Sequence, residues 1–279
     1  MQNNNKFTLI TGASQGIGKA LCYEFAKRGN NLFLVALPDR QLQETKNELN
    51  SNFNVKIISF GIDLTEKKAP LLIRNFAIEH NIRINILVNN AGLGSGGLFR
   101  NSNMDLNNYI MMLNNQAMVG ITYHFINDLV SLSPSYILNI SSMEATLPLP
   151  YKSVYTATKN FIYSFSLALG EELKPEKVKV IVACPGSVAT NEDGLKRIKS
   201  MGWKAKLMVK MPDDVAHIIV KKMYKGKRVI VPGFIPIFII RVMHFMPVSL
   251  KMFILEKIFR KYRDHQHINV ENKQDAEVS

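Results

Sequence analysis

Only two cysteines, Cys22 and Cys184, occur in 279 residues. Both fall in apolar segments without partner spacing, which excludes a disulfide framework and leads us to expect buried thiols in a reducing compartment, the cytoplasm. The six histidines show no ligand spacing, so no metal site is expected; His265 and His267 stand in a polar tail, where solvation accounts for them. The uncharged run 229–240 has twelve residues, is interrupted by Pro232 and Pro236 and ends at Arg241, whereas a bilayer span needs ~20. Basic residues are plentiful, yet no recognition motif or interleaved aromatic platform accompanies them, so nucleic acid is not an expected partner. The first apolar run starts at Phe7, and no leader is expected ahead of it.

What is present is enough apolar sequence, 47% of residues, for one large core. Short apolar runs at 7–10, 31–36, 55–60, 84–88, 136–140, 178–183 and 228–231 alternate with stretches of helical periodicity. That alternation predicts an α/β fold, a parallel sheet covered on both faces, with ligands at the carboxyl ends of its strands. We read residues 1–232 as the catalytic body, 233–263 as an apolar and basic helical extension of the same domain, and 264–279 as a polar, frayed tail.

Two patterns carry chemistry. Thr11-Gly12-Ala13-Ser14-Gln15-Gly16-Ile17-Gly18 follows the first run and opens a helix in which Ile17, Ala20, Leu21, Phe25 and Ala26 share a face. Glycines there let the backbone approach an anion, and the helix dipole favours it, so the pattern suits a dinucleotide pyrophosphate. A ligand-free turn explains a bare glycine triplet equally well; the flanking strand, helix and second strand favour the dinucleotide.

The second pattern is Ser142, Tyr155 and Lys159. Tyr155 and Lys159, four apart, share one face of the helix that Val154, Phe161, Ile162, Phe165 and Leu169 mark out. An ammonium beside a phenol favours the phenolate, lowering a pKa near ~10 toward the operating range of a general acid/base. Ser142 ends the preceding strand and would hydrogen-bond the same substrate oxygen. An ordinary amphipathic surface explains Tyr and Lys alone; the serine shifts the balance. Together the two patterns imply nicotinamide-dependent redox chemistry at a carbonyl.

On these residues, and on Asp63-Leu64-Thr65, Asn89-Asn90-Ala91-Gly92, Asn114, Asn139-Ile140-Ser141-Ser142 and Pro185-Gly186-Ser187-Val188-Ala189-Thr190 in that order, the chain resembles the short-chain dehydrogenases/reductases. The resemblance covers about residues 6–231. It implies a Rossmann-type doubly wound sheet and a role for each matching position. Tyr155 is the acid/base; Lys159 tunes it and holds the nicotinamide ribose; Ser142, thirteen residues before the tyrosine, orients the carbonyl. Asn114, with Asn115 as a rival, anchors a water-mediated proton relay. Gly12, Ser14, Gln15, Gly16, Ile17 and Gly18 take the pyrophosphate, and Asp63 the adenine. Asn90, Ala91 and Gly92 border the cofactor, and Pro185, Gly186, Val188 and Thr190 lie on its nicotinamide side. For Asp63 a helix cap, and for 89–92 a plain turn, are the structural alternatives.

Leu37 stands where the family places an aspartate for NAD or an arginine for NADP. Without a carboxylate nothing repels a 2′-phosphate, and Arg40 lies three residues on, so NADP(H) is favoured over NAD(H); Asp39 argues the other way, and Arg40 equally suits a solvated helix start. Between Lys196 and Arg263 stand 17 Lys and Arg against three acids, an excess of +14 in a chain of net +13. From Val248 a stripe of Val248, Met252, Leu255, Phe259 and Tyr262 runs opposite Lys257, Arg260 and Lys261. Such a helix closes a greasy pocket, packs on a twin subunit in a homo-oligomer, or lies on an anionic membrane as a peripheral contact. Residues 191–210, with the lone Trp203, suit a flap over the site. The expected activity is hydride exchange between nicotinamide and a carbonyl/alcohol pair, with ketoacyl or steroid-like substrates in view. A nucleotide-sugar epimerase or dehydratase, and a non-catalytic NADP-binding scaffold, are the alternatives.

Overall fold

The computed structural model describes residues 5–186, 188, 211–233, 242–243 and 245–263. Seven apolar runs become the strands β1 (Lys6–Thr11), β2 (Asn31–Ala36), β3 (Ile57–Gly61), β4 (Arg83–Asn89), β5 (Ser135–Ile140), β6 (Val178–Ala183) and β7 (Val229–Ile230). All pairings are parallel and the order is β3-β2-β1-β4-β5-β6-β7. Between them run α1 (Gly16–Ala26), α2 (Arg40–Asn52), α3 (Ala69–Glu79), α4 (Met104–Met111), α5 (Ala117–Ser131), α6 (Ser153–Glu172) and α7 (Pro212–Tyr224), and α8 (Val248–Phe259) follows the last strand.

Side-chain alternation along each strand divides the core. Ile10, Leu34, Leu138 and Ile181 point to the face covered by α1, α2 and α7 through Leu21, Phe25, Leu49, Ile219 and Met223. Their neighbours Leu9, Phe33 and Ile137 point to the other, against Ile73 of α3, Ile121 and Phe125 of α5 and Leu169 of α6. Phe25, Phe33 and Phe125 are completely buried, and each such side chain contributes ~1.5–3 kcal/mol of transfer free energy. The sheet is therefore the doubly wound α/β layer expected from the sequence.

One difference at an edge has a simple cause. The apolar run at 55–60 begins before its strand because β3 pairs only with β2, whose register starts at Leu32↔Ile57; Val55 instead packs half-buried on the core. Both cysteines are buried and free. Burial pushes both thiols up, that of Cys184 to about 12, so neither is a reactive thiolate.

The order of strands fixes where a ligand sits. After β3 the chain crosses to the opposite side of β1 to lay down β4, so the connections leaving β1 and β4 diverge at their carboxyl ends. That divergence opens the crevice.

Candidate active site

β1 ends at Thr11, and the chain turns through Gly12 and Gly16 with φ of +62° and +56°, a left-handed conformation that side chains disfavour. Gly18 is needed for closeness: a Cβ there would stand 1.9 Å from the Gly12 carbonyl oxygen and 2.5 Å from Asn90 Nδ2. α1 starts directly under the turn. Its N-cap Gln15 is extended and makes no side-chain capping bond, which leaves the first-turn amides able to bind an anion. Ser14 is buried and its carbonyl accepts from Thr45 Oγ1 at 3.1 Å; Ile17 packs on the core.

The end of β4 clasps this turn. Asn90 Nδ2 donates to the carbonyls of Thr11 at 2.9 Å and Gly12 at 3.2 Å, and Thr11 Oγ1 accepts from the amides of Asn90 at 2.9 Å and Ala91 at 3.1 Å. A rigid glycine cradle with unused helix amides is what a dinucleotide pyrophosphate requires, so the residues present fit that group.

Beyond the cradle, β5 and α6 bring the second pattern together. Ser142 is extended after β5; its Oγ accepts from the Glu144 amide at 3.1 Å and its side chain hydrogen-bonds Tyr155, so the two hydroxyls stand together where a substrate oxygen can exchange for that bond. Tyr155 and Lys159 lie on one face of α6, with Lys159 Nζ 5.9 Å from the Tyr155 ring centroid. Lys159 is buried and donates to the Ile140 carbonyl at 3.2 Å. The segment after β4 crosses Lys159 and Tyr155. A Cβ on Gly92 would meet Asn114 Oδ1 at 3.0 Å and Lys159 Nζ at 3.1 Å, and one on Gly94 would meet the Tyr155 ring at 3.3 Å.

Asn114 sits in a π turn, Met112–Gln116, between α4 and α5. π turns widen a helix locally and recur at functional sites. Its Oδ1 accepts from the Leu93 amide at 2.8 Å, and its Nδ2 donates to the Leu93 carbonyl at 3.0 Å and Thr158 Oγ1 at 2.9 Å. Its rival Asn115 donates to the Thr158 carbonyl at 3.0 Å. Of the two, Asn114 faces Gly92 and Lys159.

The family profile described as short chain dehydrogenase matches residues 6–199. The chain belongs to the short-chain dehydrogenase family. Its relatives include a very-long-chain 3-oxoacyl-CoA reductase of Bos taurus, 32% identical over 202 residues, which are 71% of this chain and 63% of that protein. An 11-beta-hydroxysteroid dehydrogenase-like protein of Arabidopsis thaliana is 36% identical over 190 residues, 67% of this chain and 60% of that one. The matched part thus spans about 60% of each relative's length. Among solved structures, a short-chain dehydrogenase from Sphingobium yanoikuyae in complex with NADPH superposes with a TM-score of 0.71 at 25% identity, covering 95% of this chain and 99% of that one.

Electrostatics within this family site depart from one expectation. The phenol of Tyr155 is pushed up to about 12, first by burial and then by the Glu144 carboxylate, with a Ser142 hydrogen bond pulling it back. Burial also lowers Lys159 to about 8. The acidified phenol expected from the Tyr-Lys spacing is therefore absent: enclosure of the hydroxyl disfavours phenolate more than an ammonium beyond the ring favours it.

Other expected positions are placed as follows. Asp63 Oδ1 accepts from the amide and hydroxyl of Thr65, both at 2.8 Å, a side-chain turn rather than a helix cap. The Pro185 carbonyl accepts from the Met143 amide at 2.9 Å, tying the segment after β6 to the Ser142 turn; Gly186 and Val188 are half-buried beside it. Arg40 opens α2 at the end of β2, exposed and paired with Glu44 at 2.7 Å, while Asp39 caps the same helix by accepting from the Leu42 amide at 2.8 Å. Thr190, the 191–210 segment with Trp203, and the tail with His265 and His267 lie outside the described residues.

Sequence reasoning missed Gly94, Leu93 and Thr158, and passed over Thr11 as a clasp. Thr11 opens the quoted glycine motif and Thr158 stands between Tyr155 and Lys159, so their positions were in view. It also missed Lys152, whose Nζ grips both Glu144 oxygens at 2.9 and 3.1 Å and lies 5.8, 5.9 and 4.7 Å from the rings of Tyr155, Phe259 and Tyr262. No spacing rule links residues 144 and 152 across a loop.

Proposed function

We propose that this chain is an NADP(H)-preferring reductase of lipophilic ketones, with Tyr155 as general acid and Ser142 as the carbonyl's anchor. The observation that carries the reading is the convergence of Asn114, Lys159 and Tyr155 on Gly92 and Gly94 beside the glycine cradle, with Ser142 hydrogen-bonded to Tyr155. A bound nicotinamide supplies the hydride that the carbonyl carbon accepts. The remaining work falls to the chain: Ser142, hydrogen-bonded to Tyr155, turns its hydroxyl hydrogen to the carbonyl oxygen when substrate enters, and Tyr155, protonated throughout the neutral range, delivers a proton to it. Reduction is the direction that a phenol held protonated suits. Lys159 keeps positive charge near the developing oxyanion and ribose pocket. Since the Asn114 side chain is committed to Leu93 and Thr158, its relay role runs through backbone carbonyls of the π turn.

The preference for NADP(H) rests on Leu37, on the engagement of Asp39 as a helix cap, and on Arg40. Releasing Arg40 from Glu44 costs only ~0.3–0.5 kcal/mol for an exposed pair four residues apart, which a phosphate contact readily exceeds. A lipophilic substrate agrees with the apolar cluster Leu147, Leu149, Met243 and Leu255 beside the Ser142 turn and with the names of the Bos taurus and Arabidopsis relatives.

The test is NADPH and NADH oxidation with acyl, steroid, quinone and small ketones. Tyr155→Phe is expected to retain NADPH binding while turnover drops by ~10²–10⁴, the range for losing a general acid. Undiminished turnover in that variant would remove the assignment.

A further inference from the structure

α8 is apolar on both of its faces. The inner face is accounted for: Leu255 is buried with Met243, Leu147 and Leu149, and Phe259 packs partly against them. Tyr151 adds a hydrogen bond to Glu256 at 2.9 Å. On the outer face, where a surface helix carries polar residues, stand Leu250, Phe253 and Ile258, exposed by 49%, 57% and 54%, with Val248 at 70% at the leading end. Large apolar side chains exposed on the same helix face as basic ones are unusual against water and suit an apolar–polar boundary. Of the stripe expected from the sequence, Leu255 and Phe259 pack inward and Val248 is exposed; Leu250, Phe253 and Ile258 are apolar positions outside it.

Basic side chains lie within and around this face, and their flexible stems let the charges reach its rim. Lys251, Lys257, Arg260, Lys261 and Arg263 face one carboxylate, Glu256, which Arg260 and Tyr151 already engage. Lys257 Nζ lies 4.3 Å from the Phe253 ring centroid, its stem along the apolar surface and its charge at the edge. An isologous contact with a second copy would press this positive rim against itself. An anionic surface with an apolar interior matches both the charge and the grease.

We propose that the outer face of α8 docks the enzyme on an anionic lipid bilayer, with Leu250, Phe253 and Ile258 in the acyl boundary and the basic rim at the headgroups. No described helix is long and apolar enough to cross a membrane, so the contact is interfacial. Because the inner face of the same helix rests on Leu147 and Leu149, between Ser142 and Tyr155, docking brings the site's mouth to the bilayer, where lipophilic ketones concentrate. That delivery step rests on the reductase reading; the docking does not.

The experiment is co-sedimentation of the full chain with phosphatidylcholine vesicles, with and without phosphatidylglycerol, alongside its mass in solution by light scattering. Binding should require phosphatidylglycerol and weaken with salt. The double variant Leu250→Glu/Phe253→Glu should lower partitioning by about tenfold or more while turnover of a water-soluble ketone is unchanged. Tyr155→Phe should bind vesicles as the wild type does, which separates this proposal from the redox assignment. No binding to either vesicle, or binding that the double variant retains, overturns it. A dimer that the double variant dissociates, without vesicle binding by the wild type, overturns it in favour of a twin subunit.

Discussion

The glycine turn and α8 are held in different ways, the first by polar contacts and the second by apolar packing. The turn is fixed by directional hydrogen bonds: the side chains of Thr11 and Asn90 tie the backbone of Thr11, Gly12, Asn90 and Ala91 through four bonds at 2.9–3.2 Å, and Gly18 lies so near Gly12 that no side chain fits. α8 is fixed by side chains, a four-residue buried cluster and the Tyr151–Glu256 bond. The first suits a constant ligand; on the proposals made above, the second would be a surface that a substrate or a bilayer rearranges. Dinucleotides differ little between relatives, whereas substrates differ widely.

The comparison breaks most sharply at Gly18→Ala. The added methyl would overlap the Gly12 carbonyl and the Asn90 side-chain amide, and the Gly12 backbone cannot yield cheaply. Loss of measurable NADPH binding is expected, with a lowered melting temperature. An alanine variant that binds NADPH normally would show that the turn is not the rigid element described.

Leu255→Ala addresses the other region. Truncating a buried leucine ordinarily costs ~2–5 kcal/mol, and the low end is expected because a small peripheral cluster can collapse. The cost should be local. Hydrogen exchange should quicken in α8 while β1, β4 and β5 keep wild-type protection, and the Michaelis constant for lipophilic ketones should rise. Equal loss of protection in the sheet would mean that α8 is part of the same cooperative unit.

These two regions also differ in how far the sequence discloses them. β2 and β6 coincide with their apolar runs because both are buried on two faces, so composition alone marks their ends. The glycine turn is legible because its constraint is local: φ at Gly12 and the approach of Gly18 act within seven residues. Asn114 over Asn115 could be argued from neighbouring apolar positions. What stays hidden depends on remote chain. The Glu144–Lys152 pair, the Leu93 clasp on Asn114 and the outer face of α8 are set by which segments meet, and periodicity reports only direction along one element. The protonation of Tyr155 belongs to the same class: a lysine four residues away is visible in sequence, but the burial that outweighs it is not.

The acid/base pair sharpens the comparison further, through pH. Burial holds Tyr155 near 12 and Lys159 near 8, so it is the lysine that should set the alkaline limit of reduction. kcat/KM is expected to fall as pH rises through about 8, roughly tenfold per unit above it, while Tyr155 remains protonated. Stability should move the other way. A lysine whose folded value lies below its ordinary 10.5 binds a proton in the unfolded chain that it lacks when folded, so its contribution is lost as pH falls through about 8 and grows above it. Cys22 and Cys184, raised from 9.0 by burial, act with the opposite sign once their unfolded thiols ionise, which confines the window to about pH 8–9. Activity dropping while denaturant stability holds or rises across that interval would assign the limit to Lys159; a parallel decline of both would reduce it to alkaline unfolding. Perturbation of α8 by Leu255→Ala should leave the position of this limb unmoved, because the groups that bury Lys159 lie on β5, α6 and the segment after β4.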